Sequence, residues 1–240
     1  MNIEIKTRDQ QHNADLFGGR LHENKPISGQ AYSNLLYWAH VEALDDGEFG
    51  MHPHENIEIL TFIFEGGLEH FDTATNVWTP LPAGGVQHIQ AGKGLQHAEK
   101  YKKGSRAFQI WFDPDFEKAS KKDPDYKDFQ HDSFTWEKEG SFEVKAYVGK
   151  TAPIQTDAPG ISANRYKIQE GNHFFKFKTD SFYSLYVLDG TISIENNEIT
   201  TDSFVRISDA NSINIETLES SDLFILQSPA KVDYKLVSEQ

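Results

Sequence analysis

A chain of 240 residues with 17 Phe, 9 Tyr and 4 Trp has enough apolar material for one large or two ordinary folded domains, which excludes a disordered chain. Its 37 acidic and 23 basic side chains give a net charge of −14, and because phosphate neutralisation dominates nucleic-acid affinity, no nucleic-acid partner is expected. The absence of cysteine excludes disulfides, thiolate metal ligation and a cysteine nucleophile.

Residues 1–6 alternate polar and apolar and lack the apolar core of a signal peptide. The longest strongly apolar stretch, 59–64, is far too short to span a bilayer. The expectation is a soluble, cytoplasmic protein with no membrane partner. Helical periodicity is scarce. Short segments rich in Val, Ile, Phe, Tyr and Thr at 58–64, 108–112, 142–148, 184–188, 192–194, 204–207 and 223–226 are bounded by Gly, Asp, Asn or Pro, which predicts an all-β sandwich or barrel. Asp189-Gly190 and Asn196-Asn197 are hairpin-turn candidates. The charged stretch 113–132, with Pro114 and Pro124 and one short helix around 116–121, reads as a linker. This divides the chain into domains 1–126 and 127–240.

The halves carry a weak repeat. Phe62-Ile63-Phe64-Glu65-Gly66-Gly67 matches Tyr186-Val187-Leu188-Asp189-Gly190-Thr191 as a buried strand followed by an acidic-Gly turn. Aligning Gly66 with Gly190 places His52 on Lys176 and His54 on Lys178. The second copy then keeps the fold and loses the ligands, so one metal site is expected.

That site is read from two ligand-x-ligand pairs, His52-Pro53-His54 and His97-Ala98-Glu99. Residues two apart on a strand share a face, with Cα atoms about 6.5–7 Å apart. Two imidazoles at that spacing can converge on one ion. His52-Pro53-His54 alone is more economically read as two surface histidines beside a proline turn; the second pair weighs against that. Glu58 is a rival fourth ligand and His88 a rival third histidine, and His70 sits near the region. His12, His22, His40, His131 and His173 have no partner at useful spacing. His52 and His54 begin a strand whose even positions run on through Asn56 and Glu58 to Leu60, Phe62 and Phe64, so with the histidines facing inward these last three form an apolar wall for an aromatic substrate. Glu99 has two available roles: a ligand, or a base that removes a proton from a metal-bound hydroxyl. Three imidazoles and a carboxylate suit Fe, Ni, Co, Mn, Cu or Zn. The cluster Lys100, Lys102, Lys103 and Arg106 reads as a solvated loop.

These residues resemble the pirin family of the cupin superfamily. The resemblance lies in His52-Pro53-His54-Glu55-Asn56-Ile57-Glu58, in Phe64-Glu65-Gly66-Gly67-Leu68-Glu69-His70 and in Ala91-Gly92-Lys93-Gly94-Leu95-Gln96-His97-Ala98-Glu99. Gln109-Ile110-Trp111 and Pro124-Asp125-Tyr126 extend it, over roughly residues 50–126. It implies two tandem cupin-type β-barrels (a bicupin) joined by the short charged linker, with one iron-type site in the N-terminal barrel. It also implies the ligands His52, His54, His97 and Glu99, and leaves Glu58 and His88 to supporting or core roles. Several members are described as quercetin 2,3-dioxygenases, which open a flavonol ring with O2 and release carbon monoxide. The implied partners are a small aromatic substrate and O2. The alternative is a metal-dependent redox sensor or regulator acting on a protein partner. Where the family commonly has Arg-Gly or Arg-Asp after the His-Pro-His, this chain has Glu55-Asn56, and the usual Gly-Phe-Pro lead-in is replaced by Glu48-Phe49-Gly50-Met51. Charge reversal at a pocket rim bears on substrate preference more than on metal binding.

Overall fold

The computed structural model describes residues 1–28 and 31–237. Every strand segment named above is a strand, several of them extended by one to three residues at one end or both. The strands fall into two units, His12–Ser133 with Asp233–Gln240 and Met1–Gln11 with Phe134–Val232. Each unit is a seven-stranded sheet and a four-stranded sheet of antiparallel neighbours. In the first unit the larger sheet runs Asp125–Phe129, Val86–Gln90, Glu58–Glu65, Arg106–Phe112, Leu35–Ala43, Leu21–Ile27, His12–Leu16. The smaller runs Gly47–His54, Leu95–Tyr101, Gly67–Asp72, Trp78–Pro82. The second unit repeats this arrangement, with Ser181–Asp189 and Ser221–Pro229 at the centre of its larger sheet. The expected barrels are not closed. Outer strands such as His12–Leu16 have a neighbour on one side only, so each unit is a jelly-roll-like pair of sheets.

The repeat is visible in one shared turn. Gly66 has φ +67° and Gly190 φ +95°, a region that favours glycine. A Cβ at either would come within 2.8–2.9 Å of a serine Cα, that of Ser105 or Ser221. The second unit's interior is packed apolar. Along its strand Gly171–Lys176 the buried side chains are His173 and Phe175, paired with Ile215 and Ile213. Lys176 is exposed on that strand, so the alignment that places His52 on it does not mark an inward position.

The stretch 113–132 is more than a linker. A short helix, Phe116–Ala119, forms where expected and is capped by Asp115, whose side chain accepts from Glu117 N. Strand Asp125–Phe129 then pairs with Val86–Gln90 at the edge of the larger sheet. No helix among the described residues is long and apolar enough to cross a membrane.

Alternation decides which side chains face the site. Trp111 pairs with Ile59, Gln109 with Thr61 and Ala107 with Ile63. These residues face the smaller sheet, where Trp111 meets His54 and Gln109 meets Glu99. Leu60 and Phe62 pair with Ile110 and Phe108 on the opposite face, and Phe64 packs edge-on to Phe108 there. The chain breaks at Asn56, with φ +56°, between His54 and Glu58. The even-numbered face from His52 to Phe64 is therefore not continuous. The apolar wall beside the histidines is Ile59, Ile89 and Leu95, with Trp111 and Tyr126 packed against them.

Candidate metal centre

A β-bulge aims the first ligand pair. On the ladder between Gly47–His54 and Leu95–Tyr101, His52 pairs with His97, yet Glu99 pairs with Phe49. Gly50 and Met51 together therefore oppose Ala98, and the phase of the strand flips between them. Gly47 and Phe49 turn inward before the bulge, His52 and His54 after it. The bulge also supplies a partner: His52 Nδ1–H donates to the Gly50 carbonyl at 2.8 Å, which leaves Nε2 free as a ligand.

His52, His54 and His97 come together. Each offers a ring nitrogen within 4.8 Å of the others, and their ring centroids are 4.3–4.9 Å apart. Among the described residues this is the one such group. A transition-metal ion fits it on donor chemistry. The Nε2 atoms of His54 and His97 are buried without a hydrogen-bond partner, a costly state that an ion would relieve. Burial pushes His54 down to about 4, aided by His52, and pushes His97 down to about 2, aided by His52, His54 and His70. Neutral imidazoles at neutral pH have their lone pairs ready for an ion.

Glu99, two residues from His97 on the same strand, is outside this group's 4.8 Å spacing. It is 1% exposed, and both its oxygens accept from Gln109 Nε2 at 3.0 Å. Burial raises it to about 7 against the pull of those bonds. Glu58 and His88 are not part of the group. They lie on the opposite face of the larger sheet, where His88 pairs with Leu60 and donates to Glu58 at 2.9 Å. The other histidines have ordinary surroundings: Arg106 donates to His40 at 2.9 Å, and His173 is 2.9 Å from Ser141 Oγ. Lys102 pairs with Glu69 and Lys100 lies over Trp78, as expected of a solvated face.

Four neighbours of the site have no role assigned from the sequence, although His70 sits near the region and Gln109, Trp111 and Tyr126 lie in the segments that resemble the family. Trp111 packs edge-on to His54 at 4.9 Å and donates to Gln109 Oε1 at 3.0 Å, and Gln109 in turn holds Glu99. His70 Nε2 lies 3.2 Å from His97 Nδ1, and Tyr126 stacks on His70 at 4.5 Å. The two-residue spacing of Gln109 and Trp111 puts them on one face of a strand but says nothing about the strand opposite. Outside the histidines is a cavity of about 780 Å³ whose lining includes Pro53, His54, Glu55, Lys93 and Gln96, the size of a small-molecule site.

Residues 16–112 match the pirin family model. The chain is 30% identical over 201 residues to a Zymomonas mobilis protein whose name provisionally assigns it to the quercetin 2,3-dioxygenases, covering 81% of this chain and 82% of that one. The chain belongs to the pirin family. It is also 26% identical over 194 residues to the quercetin 2,3-dioxygenase of Escherichia coli K12, covering 75% and 76% of the two chains. The pirin fold extends over the whole molecule: the bacterial pirin YhhW of Escherichia coli, solved in complex with nickel(II), superposes with a TM-score of 0.79 at 20% identity, over 96% of this chain and 100% of that one. The pirin architecture is that of a bicupin, two cupin units in one chain.

Proposed function

We propose that this pirin is a metal-dependent dioxygenase of the quercetin 2,3-dioxygenase type, which opens a flavonol or a related enol or phenol with O2. The observation that carries the reading is the convergence of His52, His54 and His97 beside a cavity, with two of their nitrogens buried and without partners. The names of its relatives support the same reaction class. His52, His54 and His97 would hold one divalent ion, iron by expectation, with Glu99 as a fourth ligand or as the neighbouring base. Such an ion supplies Lewis acidity, which lowers the pKa of a hydroxyl bound to it. Glu99, a buried carboxylate beside the group, would accept that proton on a carboxylate oxygen. Gln109 keeps the carboxylate oriented throughout. Leu95, which lines the cavity and is backed by the buried Ile59 and Ile89, would exclude water from the aromatic part of the substrate.

The test is aerobic quercetin bleaching with carbon monoxide detection, on protein loaded separately with Fe, Ni, Co and Mn, beside His54→Ala and Glu99→Ala. Metal-dependent turnover that is lost in both variants supports the reading. Bound metal without turnover of any flavonol removes it and favours a redox sensor.

A further inference from the structure

We propose that His70 and Asp72 form a positioning pair that sets the tautomer and the donor strength of His97. The inference rests on the metal-centre reading above. Ligation through His97 Nε2 needs the lone pair on that atom and the proton on Nδ1. Nδ1 faces one acceptor, His70 Nε2, at 3.2 Å. His70 must then carry its own proton on Nδ1, which lies 3.5 Å from Asp72 Oδ2, longer than a good hydrogen bond but close enough for the N–H dipole of the neutral ring to feel the carboxylate charge. Asp72 is fixed in turn: its Oδ1 accepts from the backbone N–H groups of Ala74 and Thr75 at 2.7 Å each, and its Oδ2 from Thr75 Oγ1 at 3.1 Å.

All three links, His97, His70 and Asp72, are fully buried. Water therefore cannot substitute for a missing link. The ring of Tyr126 lies nearly parallel to His70, 12° off, and holds it against rotation. Tyr126 is itself anchored by its hydroxyl, which meets Thr79 Oγ1 and donates to Asp128.

The arrangement differs from that behind His52, which donates to the rigid carbonyl of Gly50. A backbone carbonyl fixes orientation and tautomer but carries no net charge. A carboxylate acting through an imidazole also pushes electron density toward the ligating nitrogen, so a change at Asp72, with His70 between it and the ligand, would be felt by the ion. His70 touches neither the ion nor the substrate in this scheme and works only through His97.

The probe is Co(II), added to the full chain, read by chelator competition and by its d–d absorption spectrum. His70→Phe keeps the ring volume and the stack on Tyr126 but strands the Nδ1–H of His97. Its Co(II) affinity is expected to fall about 10–100-fold with a shifted spectrum. His70→Gln, which can still accept from His97, recovers most of that loss. Asp72→Asn keeps its turn acceptors and removes the charge, giving an intermediate loss and a more positive potential for the iron-loaded protein. Should His70→Phe fail to fold, Asp72→Asn alone decides. Wild-type affinity and spectrum in His70→Phe or, failing that, in Asp72→Asn overturn the inference, and so does an equal loss in His70→Phe and His70→Gln. Failure of the wild-type protein to bind Co(II) overturns both this pair and the metal centre, whereas wild-type binding with indifferent variants overturns the pair alone.

Discussion

Trp111 donates its indole N–H to Gln109 Oε1 at 3.0 Å, and so fixes which end of the Gln109 amide points at Glu99. The same indole packs edge-on to His54. One strand thus orients both the carboxylate and one imidazole. Gln109→Leu leaves Glu99 buried without its donors. In metal-free protein at pH 8 this is expected to cost about 1–3 kcal/mol, the usual penalty for an unsatisfied buried polar group. At pH 5, where Glu99 is neutral, the cost shrinks. Denaturant titration at the two pH values checks it, and an equal cost at both would contradict the assignment.

The pH dependence of the metal-free protein has opposing contributions. Glu99 is raised in the folded state to about 7 from 4.5, so its stabilising contribution is complete below about 4.5 and is lost as the pH rises to 7. His54 and His97 are lowered, so theirs is complete above about 6.5 and is lost as the pH falls through about 4 and about 2. Glu99→Gln removes the first contribution and leaves the second. Stripped of metal, the variant should melt above wild type at pH 8 and close to it at pH 5. A melting difference that does not change with pH would show that Glu99 is not buried as a titrating acid.

Deleting Met51 tests the bulge. The residue is 47% exposed, so Met51→Ala should change neither stability nor metal affinity. Its deletion lets the ladder run without a phase change. Either His52 and His54 leave the interior, or Phe49 gives up its contact with Tyr101. Co(II) affinity or thermal stability must therefore fall sharply. A deletion variant matching wild type in both would mean that the bulge does not aim the ligands.

The two faces of strand Glu58–Glu65 should separate in their effects. Phe62 is buried on the face away from the histidines, so Phe62→Ala is expected to cost about 3–5 kcal/mol of stability and leave Co(II) affinity unchanged. Ile59 packs with Ile89 and Leu95 on the histidine side, so Ile59→Ala should raise the KM for quercetin as well as lower stability. Loss of Co(II) affinity in Phe62→Ala would put the wrong face against the metal.

Much was legible in the chain itself. Strand positions follow from short β-branched and aromatic runs between turn residues, because backbone conformation and alternation are local properties. Gly66 and Gly190 were readable as equivalent turns, because a left-handed residue after an acidic one is also a local feature. His52, His54 and His97 could be nominated because ligand-x-ligand spacing on a strand is local geometry. What only the tertiary structure decided is which strand faces which. The bulge at Gly50 and Met51 set the phase of His52 and His54, and the break at Asn56 then reset the alternation, which moved Leu60, Phe62 and Phe64 off the histidine side and brought Ile59 and Trp111 onto it. His88 and Glu58 looked like rivals until the sheet placed them on its far face. Gln109 and His70 meet partners 10 and 27 positions away in the chain, Trp111 one 57 positions away, and Asp72 sits opposite His97, 25 positions away, on the paired strand. A side chain's type and spacing carry its chemistry, but its hydrogen-bond partner is set by the register of strands that meet only when the sheets fold together.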